Sequence, residues 1–131
     1  MLVDTSGLLC LHHQDESFHD EASSFFEAAW VKLTHSYVIA EFVALAETRG
    51  LPREPALQFI AAVMDNPEIE VAWITEDRHR AAMRFLQERL DKSYSLCDAV
   101  SFLLMREHGI TEALTTDRHF EQEGFIRLLA P

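Results

Sequence analysis

Short apolar runs alternate with longer stretches of helical spacing along the whole chain. Leu2-Val3 is a brief apolar start that ends at Asp4 and meets Thr5-Ser6-Gly7. That pattern reads as a buried strand running into a turn and a helix over residues 6–13. Ala22, Phe25, Phe26 and Ala29 recur at helical spacing and predict a helix over 19–30. A second strand is expected over 31–34. Ser36 stands where it can cap a helix running to Arg49, and Gly50 then stops it. A helix over 53–64 ends before Asn66-Pro67. Residues 69–74 alternate and contain Val71 and Trp73, as a strand does. Thr75 caps a helix reaching about Leu90, and Ser95 begins another that ends near His108-Gly109. Residues 113–115 form a strand, 118–121 a helical turn and 125–128 a last short strand.

Strands that alternate with helices imply parallel pairing and a sheet covered on both faces. The expected fold is α/β, a small parallel-stranded sheet sandwiched by helices, with residues 1–131 forming a single domain. In such sheets ligands sit outside the carboxyl ends of the strands. The residues just after each strand are therefore the candidates for chemistry.

Asp4 follows the first strand, and Asp117 follows the strand at 113–115 with Thr116 between. Both are expected at one carboxyl edge, although Asp is also favoured at turns and helix N-termini. Glu41 lies inside a helix, three or four residues from Tyr37, Val38, Ala44 and Leu45. A carboxylate on an apolar stripe bears a desolvation cost unless it is paired or bound to a metal. The plainer reading puts Glu41 at the stripe's edge, in solvent or beside an Arg. Asp98 sits three residues after Ser95, so Ser95-Leu96-Cys97-Asp98 nearly matches a capping box. It can serve as a cap, or face the same edge as the other acids. Clustered carboxylates bind hard cations such as Mg²⁺ or Mn²⁺. Such an ion lowers the pKa of water and stabilises a phosphodiester under attack. The seven histidines show no zinc-like spacing, and His12, His13 and His119 are expected at the surface.

Composition narrows the classes further. Nearly half the residues are apolar and Gly and Pro number four each, which argues against disorder. No segment is long and apolar enough to span a bilayer. Met1-Leu2-Val3-Asp4 has no basic leader region, so no signal peptide is expected. Cys10 and Cys97 make neither a disulfide framework nor a zinc site, and a cytoplasmic location is expected. The formal net charge of -11 gives no general attraction for nucleic acid, so metal ions or a local basic strip must supply it. The best strip is Arg78, His79, Arg80, Arg84 and Arg89. Arg80 and Arg84 share a helix face, while Glu76, Asp77 and Glu88 offset it. Phe18, Phe25, Phe26 and Trp30 exceed what a core must take, and the remainder is expected to form a groove for a partner segment.

Four segments together resemble the PIN domain, and within it the VapC-like ribonuclease toxins. They are Val3-Asp4-Thr5-Ser6, Ala40-Glu41-Phe42, the stretch from Ser95 through Asp98 to Phe102, and Leu114-Thr115-Thr116-Asp117-Arg118-His119-Phe120. The resemblance implies an endoribonuclease with a Mg²⁺ or Mn²⁺ pocket, a homodimer, and in the toxin branch a partner antitoxin. It makes Asp4, Glu41, Asp98 and Asp117 the metal-site acids, with Ser6 and Thr116 as helpers for metal waters. The overall acidity departs from the usual toxin; Arg80 and Arg84 are the candidate RNA contacts.

Rival classes fare less well. A dehalogenase-type phosphatase, which also opens with Asp after its first strand, needs a second Asp where Ser6 stands. A receiver domain needs an acid beside Asp4 and a late Lys, and none follows Lys92. No P-loop motif is present. A metal-dependent phosphatase and a binding module of the same fold without nuclease activity remain the alternatives; the complete set of acids weighs against the binding module.

Overall fold

A computed structural model describes residues 1–131. The elements follow the expected alternation: β1 (Leu2–Val3), α1 (Thr5–His12), α2 (His19–Ala28), β2 (Leu33–His35), α3 (Ser36–Thr48), α4 (Arg53–Asp65), β3 (Glu70–Ala72), α5 (Glu76–Gln87), α6 (Leu96–His108), β4 (Glu112–Leu114), α7 (His119–Gln122) and β5 (Ile126–Arg127). The strands pair in the order β3-β2-β1-β4-β5, all parallel. From β1 the chain builds outward through β2 to β3, then crosses back to lay β4 on the other side of β1. The direction of winding therefore reverses between β1 and β4. In an open α/β sheet a crevice opens at that point.

The pleat explains why Leu2-Val3 is apolar throughout rather than alternating. Leu2 pairs with Ala113 and Val3 with Leu114. Leu2, Leu33 and Ala113 pack with Phe85, Phe102, Met105 and Phe120 in one core cluster. Val3 and Leu114 pack with Leu8, Val38, Phe42, Ile60 and Val63 in the other. A central strand buried on both faces needs apolar residues at both parities.

β3 falls short of the expected 69–74 because Ile74, beyond its end, finds another partner. The Ile74 N–H donates to Ser36 Oγ at 3.0 Å. Ser36 is thus engaged across the sheet, and the cap of α3 is His35 instead. Its Nδ1 accepts from the Val38 N–H at 3.4 Å, so its Nε2–H donates to Ser101 Oγ at 2.8 Å. His35 is fully buried, and burial pushes its pKa down to about 3, which keeps the ring neutral.

One glycine is dictated by a close approach. A Cβ at Gly7 would lie 2.1 Å from the Leu114 carbonyl oxygen, so α1 rests directly on the β4 backbone. Backbone cannot swing aside as a side chain does. Gly7→Ala is expected to destabilise the fold by about 3 kcal/mol, the upper end for overpacking. Urea denaturation checks it, and a loss below about 1 kcal/mol would mean that α1 is free to lift from β4.

Candidate metal centre

Asp4 leaves β1 at the point where the winding reverses, and is only 5% exposed. It is the residue before α1, yet its side chain makes no capping hydrogen bond. Instead Asp4 Oδ2 accepts from Thr115 Oγ1 at 2.8 Å, just past the end of β4. Thr115 Oγ1 also accepts from the Asp117 N–H at 3.0 Å and lies 3.1 Å from Ser6 Oγ. Ser6 Oγ in turn accepts from the Thr116 N–H at 3.0 Å. With Asp4 ionised, the directions are fixed: Ser6 donates to Thr115 and Thr115 to Asp4. Burial, outweighing the Thr115 bond and reinforced by Asp98 and Glu41, pushes Asp4 up to about 7.

Asp98 lies in the first turn of α6 and is 6% exposed. The capping box is formed: Asp98 N–H donates to Ser95 Oγ at 3.0 Å, and Asp98 Oδ2 accepts from Ser95 N–H at 3.0 Å. The same Oδ2 lies 2.9 Å from His119 Nδ1. Asp117 lies between β4 and α7, and its Oδ1 accepts from the His119 N–H at 2.9 Å, an Asx-type turn. Asp98, Asp117 and His119 bring ligand atoms within 4.8 Å of one another.

His119 is therefore not the surface residue expected. It sits on the turn of α7, whose start is set by Asp117, and its ring packs edge-on against Tyr94 with centroids 5.2 Å apart. Sequence spacing gave no sign of it, because its neighbours in space are Asp98 and Tyr94, more than 20 residues away. Thr115, counted as a strand residue, holds the hydroxyl at the centre of the network. Thr116 gives its N–H to Ser6 and its carbonyl to Arg127.

Glu41 departs from expectation. The buried arc of α3 is Val38, Ile39, Phe42 and Ala46, and Glu41 is exposed beside it. The argument from desolvation therefore does not apply to it. Its charge nonetheless reaches Asp4 and Cys97, helping to raise both. Burial pushes the Cys97 thiol far up, which leaves it protonated and rules it out as a nucleophile.

No Arg or Lys pairs with Asp4, Asp98 or Asp117; the basic side chain in reach is the His119 imidazole. Buried carboxylates are normally matched by a positive group or a metal. An oxygen-rich set of carboxylates suits a hard divalent cation, so these acids fit such an ion.

The basic strip is largely spent. Arg78 binds Glu107 through two bonds, at 2.5 and 2.9 Å, and Arg89 binds Glu123 at 2.7 Å. Arg80 pairs with Glu76 at 2.8 Å within α5. Arg84 is exposed and outside any ion pair, and lines a shallow depression with His79, Arg80 and Met83. Of the amino-terminal aromatics, Phe18 and Phe26 pack on the core, while Phe25 is 40% and Trp30 100% exposed.

An α/β domain with an acid cluster at the reversal of a parallel sheet defines a class of small metal-site proteins. The chain belongs to the PIN domain family, which it matches over residues 1–125. It is similar to the 23S rRNA-specific endonuclease VapC20 of Mycobacterium tuberculosis, at 29% identity over 129 residues, covering 98% of this chain and 97% of that one. The same identity and coverage hold for VapC20 of the two strains CDC 1551 / Oshkosh and ATCC 25618 / H37Rv. The crystal structure of M. tuberculosis VapC20, a Sarcin-Ricin loop cleaving toxin, superimposes with a TM-score of 0.86 at 28% identity, over 95% of each chain. The expected fold thus holds, and so does the family resemblance. No helix is long and apolar enough to cross a membrane.

Proposed function

We propose that this chain is a divalent-metal-dependent endoribonuclease, the toxin of a toxin–antitoxin pair. The observation that carries the reading is the pair of buried carboxylates, Asp4 and Asp98, with no Arg or Lys partner at the sheet's reversal. Asp4, Glu41, Asp98 and Asp117 are assigned to hold Mg²⁺ or Mn²⁺. When bound there, such an ion supplies water activation and charge neutralisation at phosphate. The chain's own part is preorganisation. Thr115, donating to Asp4 and taking the Asp117 N–H, ties those two acids to one hydroxyl. Ser6 holds that hydroxyl and the Thr116 backbone together, and Ser6 and Thr116 are assigned as helpers for metal waters.

The substrate class is ribosomal RNA, by similarity to relatives named for that cleavage. Arg80 and Arg84 are assigned to the RNA backbone. A cytoplasmic site of action accords with such a substrate. The same reading assigns a homodimer and an antitoxin partner. A cleft of about 250 Å³ lined by Leu8, Leu11, Phe26, Phe59, Ala62 and Val63 is the groove offered to the antitoxin.

A cation that binds the native state alone raises its melting temperature with occupancy. Millimolar Mg²⁺ or Mn²⁺ is expected to raise the melt by several degrees over an ionic-strength control, and purified ribosomes should be cut at a discrete site mapped by primer extension. A chain that binds neither ion by calorimetry and leaves ribosomes intact would sink the nuclease reading in favour of a binding module.

A further inference from the structure

We infer that His119 is a positioning residue: its Nδ1–H, with the Ser95 N–H, occupies Asp98 Oδ2 and leaves Oδ1 as the oxygen offered to the cation. This rests on the metal-site reading above and adds a residue to it.

The argument begins with a distance. Nδ1 and Asp98 Oδ2 are 2.9 Å apart, an ordinary hydrogen bond. Two lone pairs do not approach so closely, so a proton lies between them. Both the imidazolium and the Nδ1–H tautomer put it there. Oδ2 already accepts the Ser95 N–H at 3.0 Å. A carboxylate oxygen has two lone pairs, and these two donors take both. Oδ1 is the remaining oxygen.

The ring is itself fixed. Nε2 lies 3.3 Å from Ser93 Oγ, and the Tyr94 ring packs against the imidazole in a T-shaped pair, 5.2 Å between centroids. The main chain of the same residue donates to Asp117 Oδ1 at 2.9 Å. His119 thus grips Asp98 with its ring and Asp117 with its backbone, setting the spacing between two acids that come from different elements. Sequence brings Asp98 and Asp117 no closer than 19 residues; α7 closes the gap. Outer partners of this kind commonly change metal affinity by about 10–100-fold.

The test is Mn²⁺ calorimetry on wild type, His119→Ala and His119→Asn, with pulsed electron paramagnetic resonance of the bound Mn²⁺ and ribosome cleavage as separate readouts. The Asn amide nitrogen stands close to the position of Nδ1 and keeps the donor. His119→Ala is expected to weaken Mn²⁺ binding about 10–100-fold and to lower cleavage with it. His119→Asn should restore most of the affinity, which a merely space-filling role would not do. The wild-type spectrum should show no directly bonded nitrogen. The inference is overturned if Ala binds Mn²⁺ as wild type does, if Asn is no better than Ala, or if a nitrogen is bonded to the ion. A wild type that takes up no Mn²⁺ is a different outcome: it overturns the metal reading itself, and this inference with it.

Discussion

Asp4→Asn is expected to lower RNA cleavage about 10²–10³-fold, the loss that follows removal of one preorganised stabilising group, while making the metal-free protein more stable at alkaline pH. The sign follows from the displacement of Asp4 from its ordinary 3.8 to about 7. A carboxyl raised in the folded state keeps its proton where the unfolded chain has released it. The stability that proton brings is complete below the unfolded value of 3.8 and is lost as pH rises to about 7. Above that, the native state holds a buried charge at full cost. Asparagine has the same shape, can still accept from Thr115, and never ionises. The two proteins should therefore melt alike below about pH 4, and the variant should gain as pH rises from there to about 7 and keep that gain above it. Each pH unit of displacement is worth about 1.4 kcal/mol, so the gain is a few kcal/mol at most. Because binding a cation requires the ionised carboxyl, wild-type Mn²⁺ affinity should increase over the same window, and the variant's should not. Melts at a series of pH values, with and without Mn²⁺, read both effects. A variant with wild-type cleavage, or one destabilised at pH 8, would remove Asp4 from the site.

How much of this could be read beforehand depends on whether a residue's role is local. Asp4 and Asp117 were legible because the end of a strand in a parallel sheet is a fixed place, and apolar runs mark strand ends. The order of elements was legible for the same reason. Glu41 was picked for a reason that did not hold: the stripe through Val38 and Phe42 turns away from it, and one residue on a helix is a rotation of about 100°. Thr115 was passed over because it was counted inside the strand, whereas β4 ends one residue earlier, at Leu114. A single step along an extended chain moves a side chain to the opposite face. His119 was beyond reach, since its role depends on where Asp98 comes to rest. Ser36 was misread as a cap because its true partner is the backbone of Ile74, in the connection between β3 and α5.

Asp98 was open to two readings, cap or metal ligand; the structure shows the cap, and its geometry leaves room for the second role on the same carboxylate. Oδ2 completes the capping box with Ser95. Oδ1 is left for other work. The two roles separate by substitution. Asp98→Ala removes the acceptor for the Ser95 N–H and should cost about 0.5–2 kcal/mol of stability, as loss of a helix cap does. Asp98→Asn keeps one carbonyl oxygen for that N–H, so the cap survives, and the amide nitrogen replaces Oδ1. An amide NH₂ donates hydrogen bonds and repels a cation. Asp98→Asn should therefore melt near wild type without metal, yet lose cleavage about 10²–10³-fold, the scale for a preorganised stabilising group. Its melt should also stop responding to Mn²⁺. Asp98→Ala should show the same loss of cleavage on top of a lower melting temperature. If Asp98→Asn is fully active, or if both variants lose stability equally while cutting RNA at the wild-type rate, the carboxylate is a cap and nothing more. Both variants measured in one buffer, as melts without metal and as cleavage with Mn²⁺, decide between the two roles.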